Sequence, residues 1–238
     1  MTGLQGPRPE NGQVAGFRVP IPAVAFRQPN EPQNRRLVQV TNMAQKQDTV
    51  VGNGIVNGID VKALNGIIEA VKATPAVAQA TFAVQADTDY GFHTRSRTQE
   101  PTLGGQPVAG RTRTFRFEGG HPPELLGKDE GPAAVEGLLA ALGACVSGGF
   151  TTFGAHLGIP VERVRMDLTG YIDLQGMLGL PEPGAVRPGY QRIHARITVK
   201  SPASRADLEK LKEIAEAASP VKDSLRAVQY TSELIVEN

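Results

Sequence analysis

The stretch GPAAVEGLLAALGACVSGGFTTFGAHL, residues 131–157, decides the fold. Val135, Leu138, Leu139, Leu142, Cys145, Val146, Phe150 and Phe153 recur at the 3.6-residue period of an α-helix. Pro132 suits a first helical position, where a missing N–H costs nothing. The spacing predicts a helix over residues 132–157, roughly 39 Å long at 1.5 Å per residue. Almost no charge interrupts it, and a helix that is apolar or small all round is buried on more than one side. It is therefore expected to be the central helix. Gly143, Gly148 and Gly149 each weaken it by up to about 1 kcal/mol, which makes sense where another backbone or a ligand must come close.

Downstream of this helix, Val164, Met166, Leu168, Gly170 and Ile172 alternate with polar neighbours, the period of a half-buried strand. Residues 174–189, with Pro181, Pro183 and Pro188, read as a long loop. Ile193, Ala195, Ile197 and Val199 mark a second strand, with Arg192, His194 and Arg196 on its other face. Ser204 and Asp207 open a helix through Ala217, Ser219 caps a short helix beginning at Pro220, and a closing strand spans 228–236.

Upstream, Asp60 can cap a helix with Val61, Leu64, Ile67, Ile68 and Val71 inward, stopped by Pro75. Phe82, Val84 and Ala86 then alternate. A turn at Tyr90 and Gly91 leads to a polar strand, His93 to Thr98, and after a Gly/Pro-rich excursion Arg113, Phe115 and Phe117 alternate again. This order of elements is α+β, with a small antiparallel meander before the central helix.

Residues 1–57 differ from the rest. Pro7, Pro9, Pro20, Pro22, Pro29 and Pro32 break any period, and six basic residues face three acidic ones. They are expected to form a disordered or extended tail, with Met43 an alternative start. A helical extension over 58–80 and a core over 81–238 follow. Across the 238 residues the net charge is +1, which offers no field to gather nucleic acid. No uninterrupted apolar run reaches the roughly 20 residues of a membrane span, and the N-terminus lacks a signal-peptide core. The expectation is a cytoplasmic protein with no membrane or nucleic-acid partner. The single cysteine excludes an internal disulfide, and the four His show no metal-ligand spacing.

Two motifs carry a resemblance. The run Gly131–Cys145 resembles the central helix of the osmotically inducible protein C / organic hydroperoxide resistance (OsmC/Ohr) family, and Ala218-Ser219-Pro220-Val221 falls where that family carries Cys-Pro-Val. The resemblance covers about residues 81–238. It implies an OsmC-like α+β fold, with antiparallel sheets around a long buried central helix, in an intertwined homodimer. It also implies a site at the dimer interface: a peroxidatic cysteine at Cys145, a resolving position at Ser219, and an arginine and a glutamate around the first thiol. Arg95 is the candidate arginine, with Arg97 two residues on and Arg116 behind. Glu136 is the candidate glutamate, although nine residues put it half a turn around the helix from Cys145.

A serine hydroxyl cannot form a disulfide, so the implied activity is a one-cysteine, peroxidase-like reduction of organic hydroperoxides in oxidative-stress protection. No bound cofactor is expected, and an external thiol or dithiol would restore the cysteine. Two alternatives stand beside this. A lone cysteine on an apolar helix can be an inert core residue, and the interfacial pocket can bind an apolar small molecule without chemistry.

Overall fold

The computed structural model describes residues 54–237, so the expected tail lies outside the described residues over 1–53. The described chain opens with a hairpin, β1 (Ile55–Val56) against β2 (Ile59–Asp60). Asn57 and Gly58, at φ 53° and 77°, supply the left-handed turn that two-residue hairpins favour. Residues 55–57, read from the sequence as the end of the tail, are therefore structured. The cause is long-range. Asn57 Oδ1 accepts from Val161 N–H at 2.7 Å, and its Nδ2 donates to Ile159 O at 3.0 Å, just beyond the central helix.

Asp60 Oδ1 accepts from Ala63 N–H at 2.9 Å and starts α1 (Val61–Ala73), which ends before Pro75 as expected. A 3₁₀ turn, Pro75–Ala78, leads to β3 (Ala80–Thr81), β4 (Val84–Tyr90), β5 (His93–Thr98), β6 (Thr102–Leu103), β7 (Gln106–Pro107) and β8 (Arg116–Gly119). Strands β4, β5 and β8 form one antiparallel sheet, and β3, β6 and β7 a smaller one. The Gly/Pro-rich excursion thus holds a hairpin of its own, and the third long strand pairs only from Arg116.

The second half contains α2 (Ala134–Leu157), β9 (Arg163–Tyr171), α3 (Leu174–Leu178), β10 (Arg192–Lys200), α4 (Arg205–Ala217), α5 (Pro220–Ser224) and β11 (Gln229–Glu237). The central helix starts two residues later than the sequence predicts, because Pro132 O is taken by Gly120 N–H at 3.0 Å and holds the chain extended beside the end of β8. The expected loop 174–189 opens with a helical turn, since Asp173 Oδ1 accepts from Gln175 N–H at 2.9 Å. The sheet order is β11-β10-β9. β10 runs antiparallel to β9 but parallel to β11, a departure from the all-antiparallel expectation. A parallel neighbour requires a crossover, and α4 and α5 provide it.

Leu142, Val146 and Phe150 of α2 meet Ile193, Ala195, Ile197 and Val199 of β10 and Leu208 and Leu211 of α4, all fully buried. By length and composition α2 could cross a bilayer, which the sequence reading did not allow for. Its core packing identifies it instead as the helix around which the domain is built. The β4-β5-β8 sheet is different. Every residue of β4 is exposed, and Phe82 and Tyr90 stand 82% and 84% open.

Asn57 and, through its contact with His156, Asn65 tie the N-terminal extension to the domain core. Asn57→Ala leaves Val161 N–H and Ile159 C=O without their partner, at an expected cost of about 1–3 kcal/mol. The check is a lower urea midpoint with an unchanged slope.

Candidate functional site

Cys145 lies midway along α2, half-buried between the core residues Leu142 and Val146. One helical turn later Gly149 has no side chain, and a Cβ there would meet the Ala215 backbone of α4 at 3.0 Å. That close approach brings the end of α4, and with it α5, onto the central helix. Ser219 sits at the joint. It is 3% exposed, its Oγ accepts from Lys222 N–H at 3.2 Å as the cap of α5, and the hydroxyl donates to Cys145 Sγ at 3.1 Å. Two residues 74 apart in sequence are thus in direct contact.

The other candidates are engaged elsewhere. Glu136 Oε2 accepts from Ala133 N–H at 2.8 Å, so this carboxylate caps the first turn of α2. Its charge also reaches Tyr190, whose hydroxyl donates to Val135 O at 2.9 Å; burial first, and Glu136 second, raise that tyrosine above its ordinary value. Arg95 Nη1 donates to Asp89 Oδ2 at 2.6 Å on the exposed sheet. It lines a cleft of about 220 Å³ together with Tyr90, Phe92, His93, Lys128 and Glu130. Arg97 is held by Gln85 Oε1 at 2.6 Å. Among the described residues of one chain, the hydrogen bonds and ion pairs join Cys145 to Ser219 but to neither Arg95 nor Glu136.

The histidines are accounted for singly. His93 lies between Glu118 at 3.3 Å and Glu130 at 3.8 Å, His121 packs on the Phe92 ring, and His156 meets Asn65 at 3.2 Å. The row Arg192, His194 and Arg196 is no free basic stripe. Arg192 stacks on Tyr171, while Arg196 and His194 face Glu233, whose carboxyl is held below its usual range chiefly by the Arg196 hydrogen bond. No cluster of three or more metal-ligating side chains occurs among the described residues.

Sequence reasoning missed a network behind α5. Tyr230 OH donates to Glu216 Oε1 at 3.3 Å, Lys212 Nζ lies 3.3 Å from the same oxygen, and Lys222 Nζ lies over the Tyr230 ring. Lys212 and Glu216, four apart on a helix, were a legible pair; their meeting with Tyr230 of β11 was not. Burial first, and then the Glu216 carboxylate, push the Tyr230 hydroxyl far above the ordinary tyrosine value. In the unfolded chain the hydroxyl ionises near pH 10, so its stabilising effect is complete below about pH 10 and is lost as pH rises towards the folded-state value. Tyr230→Phe removes that titration. Its stability is expected to fall less than that of the unmodified protein between about pH 10 and 12, as measured by denaturant unfolding at each pH.

Residues 127–233 match the family model for OsmC-like protein. The fold resembles an OsmC-like protein from Mycoplasma pneumoniae at 14% identity and a TM-score of 0.51, over 66% of this chain and 98% of that one. Looser likenesses include an organic hydroperoxide resistance protein OsmC from Legionella pneumophila (16% identity, TM-score 0.44, 66% of this chain and 97% of that one). Another is the organic hydroperoxide resistance protein OhrB of Bacillus subtilis (14% identity, TM-score 0.42, 66% and 98%). No curated protein matches the chain. Residues 127–233 are thus similar in sequence to the OsmC-like family, and the chain shares the fold of an OsmC-like protein.

Proposed function

We propose that this protein is a one-cysteine, thiol-dependent reductase of organic hydroperoxides that works as a homodimer. The observation that carries the reading is Cys145, on the central helix of an OsmC-like domain, held by a buried hydroxyl where a second sulfur would otherwise stand. In the reaction the Cys145 thiolate attacks the distal peroxide oxygen and the O–O bond breaks. The alkoxide takes a proton and leaves as alcohol, and the sulfur keeps the oxygen as sulfenic acid. Ser219 offers no sulfur, so an external thiol condenses with the sulfenic acid and releases water. A second thiol then attacks the mixed disulfide and regenerates Cys145.

A second copy supports this chemistry in two ways. It would cover the exposed apolar side chains of the β4-β5-β8 sheet, Val84, Tyr90 and Phe117 among them. It would also pack on the small-residue face of α2, where Gly137, Ala141, Ala144 and Gly148 are exposed. Among the described residues of one chain the thiol is hydrogen-bonded to Ser219 and to no cation, and the other subunit is then a source for one.

After one equivalent of hydroperoxide, Cys145 is expected to give a dimedone adduct and no intramolecular disulfide, with turnover only when a small thiol is added. Mass spectrometry of the adduct and alcohol release decide the matter. No adduct at any peroxide dose, with an apolar ligand bound instead, would establish the non-catalytic pocket reading.

The assembly has its own test. A Cβ at Gly148 meets nothing within 4 Å in a single chain. Gly148→Leu is therefore expected to leave the monomer folded while shifting sedimentation from dimer towards monomer by overpacking the interface. A monomeric unmodified protein would refute the dimer.

A further inference from the structure

We infer that Ser219 is a positioning residue for the nucleophile, its hydroxyl proton being committed to Cys145 Sγ. The inference rests on reading Cys145 as the reacting thiol, and the argument begins with the inventory of a hydroxyl: one proton and two lone pairs. Ser219 Oγ takes Lys222 N–H on a lone pair at 3.2 Å, as the cap of α5. The hydroxyl is buried away from water, and the acceptor its proton meets among the described residues is Cys145 Sγ at 3.1 Å. Capping and donation thus use different parts of the same group and fix its rotation.

A donated hydrogen bond is weak to a neutral thiol and strong to a thiolate, because charge on the acceptor strengthens it. The contact therefore favours the reactive form of the sulfur and holds it in one orientation. In the sulfenic acid the same O–H stays beside the sulfur. The position that would otherwise resolve the intermediate here holds the sulfur ready for an external thiol.

Two roles of Ser219, cap and donor, can be separated by substitution. Ser219→Ala removes both. Ser219→Asp keeps a good N-cap, but its ionised carboxylate only accepts. Ser219→Thr keeps both. The measurement is the rate of Cys145 alkylation by iodoacetamide across pH, beside the melting temperature of each variant.

At pH 7 the Ala and Asp variants are expected to react roughly three- to tenfold more slowly than the unmodified protein, the lost thiolate fraction being partly offset by greater intrinsic nucleophilicity. The Thr variant should stay within about twofold, since it keeps the donor. The deficit of the Ala variant should close as pH approaches 10, where ordinary thiols are ionised. Melting temperatures should fall for Ala, which loses the cap, and for Asp, whose carboxylate is buried at this position, but not for Thr. An Asp variant alkylated as fast as the unmodified protein, or rates that simply follow melting temperature at every pH, would show that Ser219 is only a cap. Should the Thr variant fold poorly, the pH dependence of the Ala deficit still decides. Alkylation needs no peroxide, so an absent dimedone adduct would sink the hydroperoxide reading while leaving this ranking intact.

Discussion

The seat of α4 on the central helix is the contact on which the site depends. It exists because residue 149 carries no side chain, so the Ala215 backbone can close to a distance at which a Cβ would crowd it by a few tenths of an ångström. α5 follows α4 after two residues, and Ser219 opens it. The approach of two helices is thereby converted into the approach of one hydroxyl to one sulfur. The glycine that weakens α2 as an isolated helix is what lets α4 seat against it and bring Ser219 to Cys145.

Most of the second half of the fold was legible in the sequence, because each element there announces itself locally. The 3.6 period of 135–153, the alternation of 164–172 and 193–199, and the caps at Ser204 and Ser219 all concern neighbours a few residues apart. The failures were of another kind. Pro132 reads as a helix start until Gly120 pairs with its carbonyl, and Asn57 reads as tail until it meets residues 159 and 161. Alternation also cannot say which way a strand runs, so the parallel pairing of β10 and β11 lay beyond it.

The site divided along the same line. Ser219 opposite Cys145 follows from the family resemblance and is realised within one chain. Arg95 and Glu136 were chosen for the same sulfur, yet each satisfies itself at home, against Asp89 and Ala133. Both engagements are exposed. An exposed ion pair is worth about 1 kcal/mol or less, so Arg95 can be recruited by a better-buried partner at little cost. In the proposed homodimer the exposed residues of β4 and of α2 would meet such a partner surface.

The parallel pairing of β10 with β11 also sets an order of events during folding. β11 cannot zip onto β10 as a hairpin; the crossover must be laid down first, and Ser219 belongs to that crossover. Closing so long a loop carries an entropic cost before any contact repays it. The thiol of Cys145 therefore exists for a time without its hydroxyl partner, on a chain whose sheet is unfinished. Until the crossover is in place Cys145 lacks the donor that favours its reactive form, so a chain interrupted before that point would carry the sulfur without its activating partner.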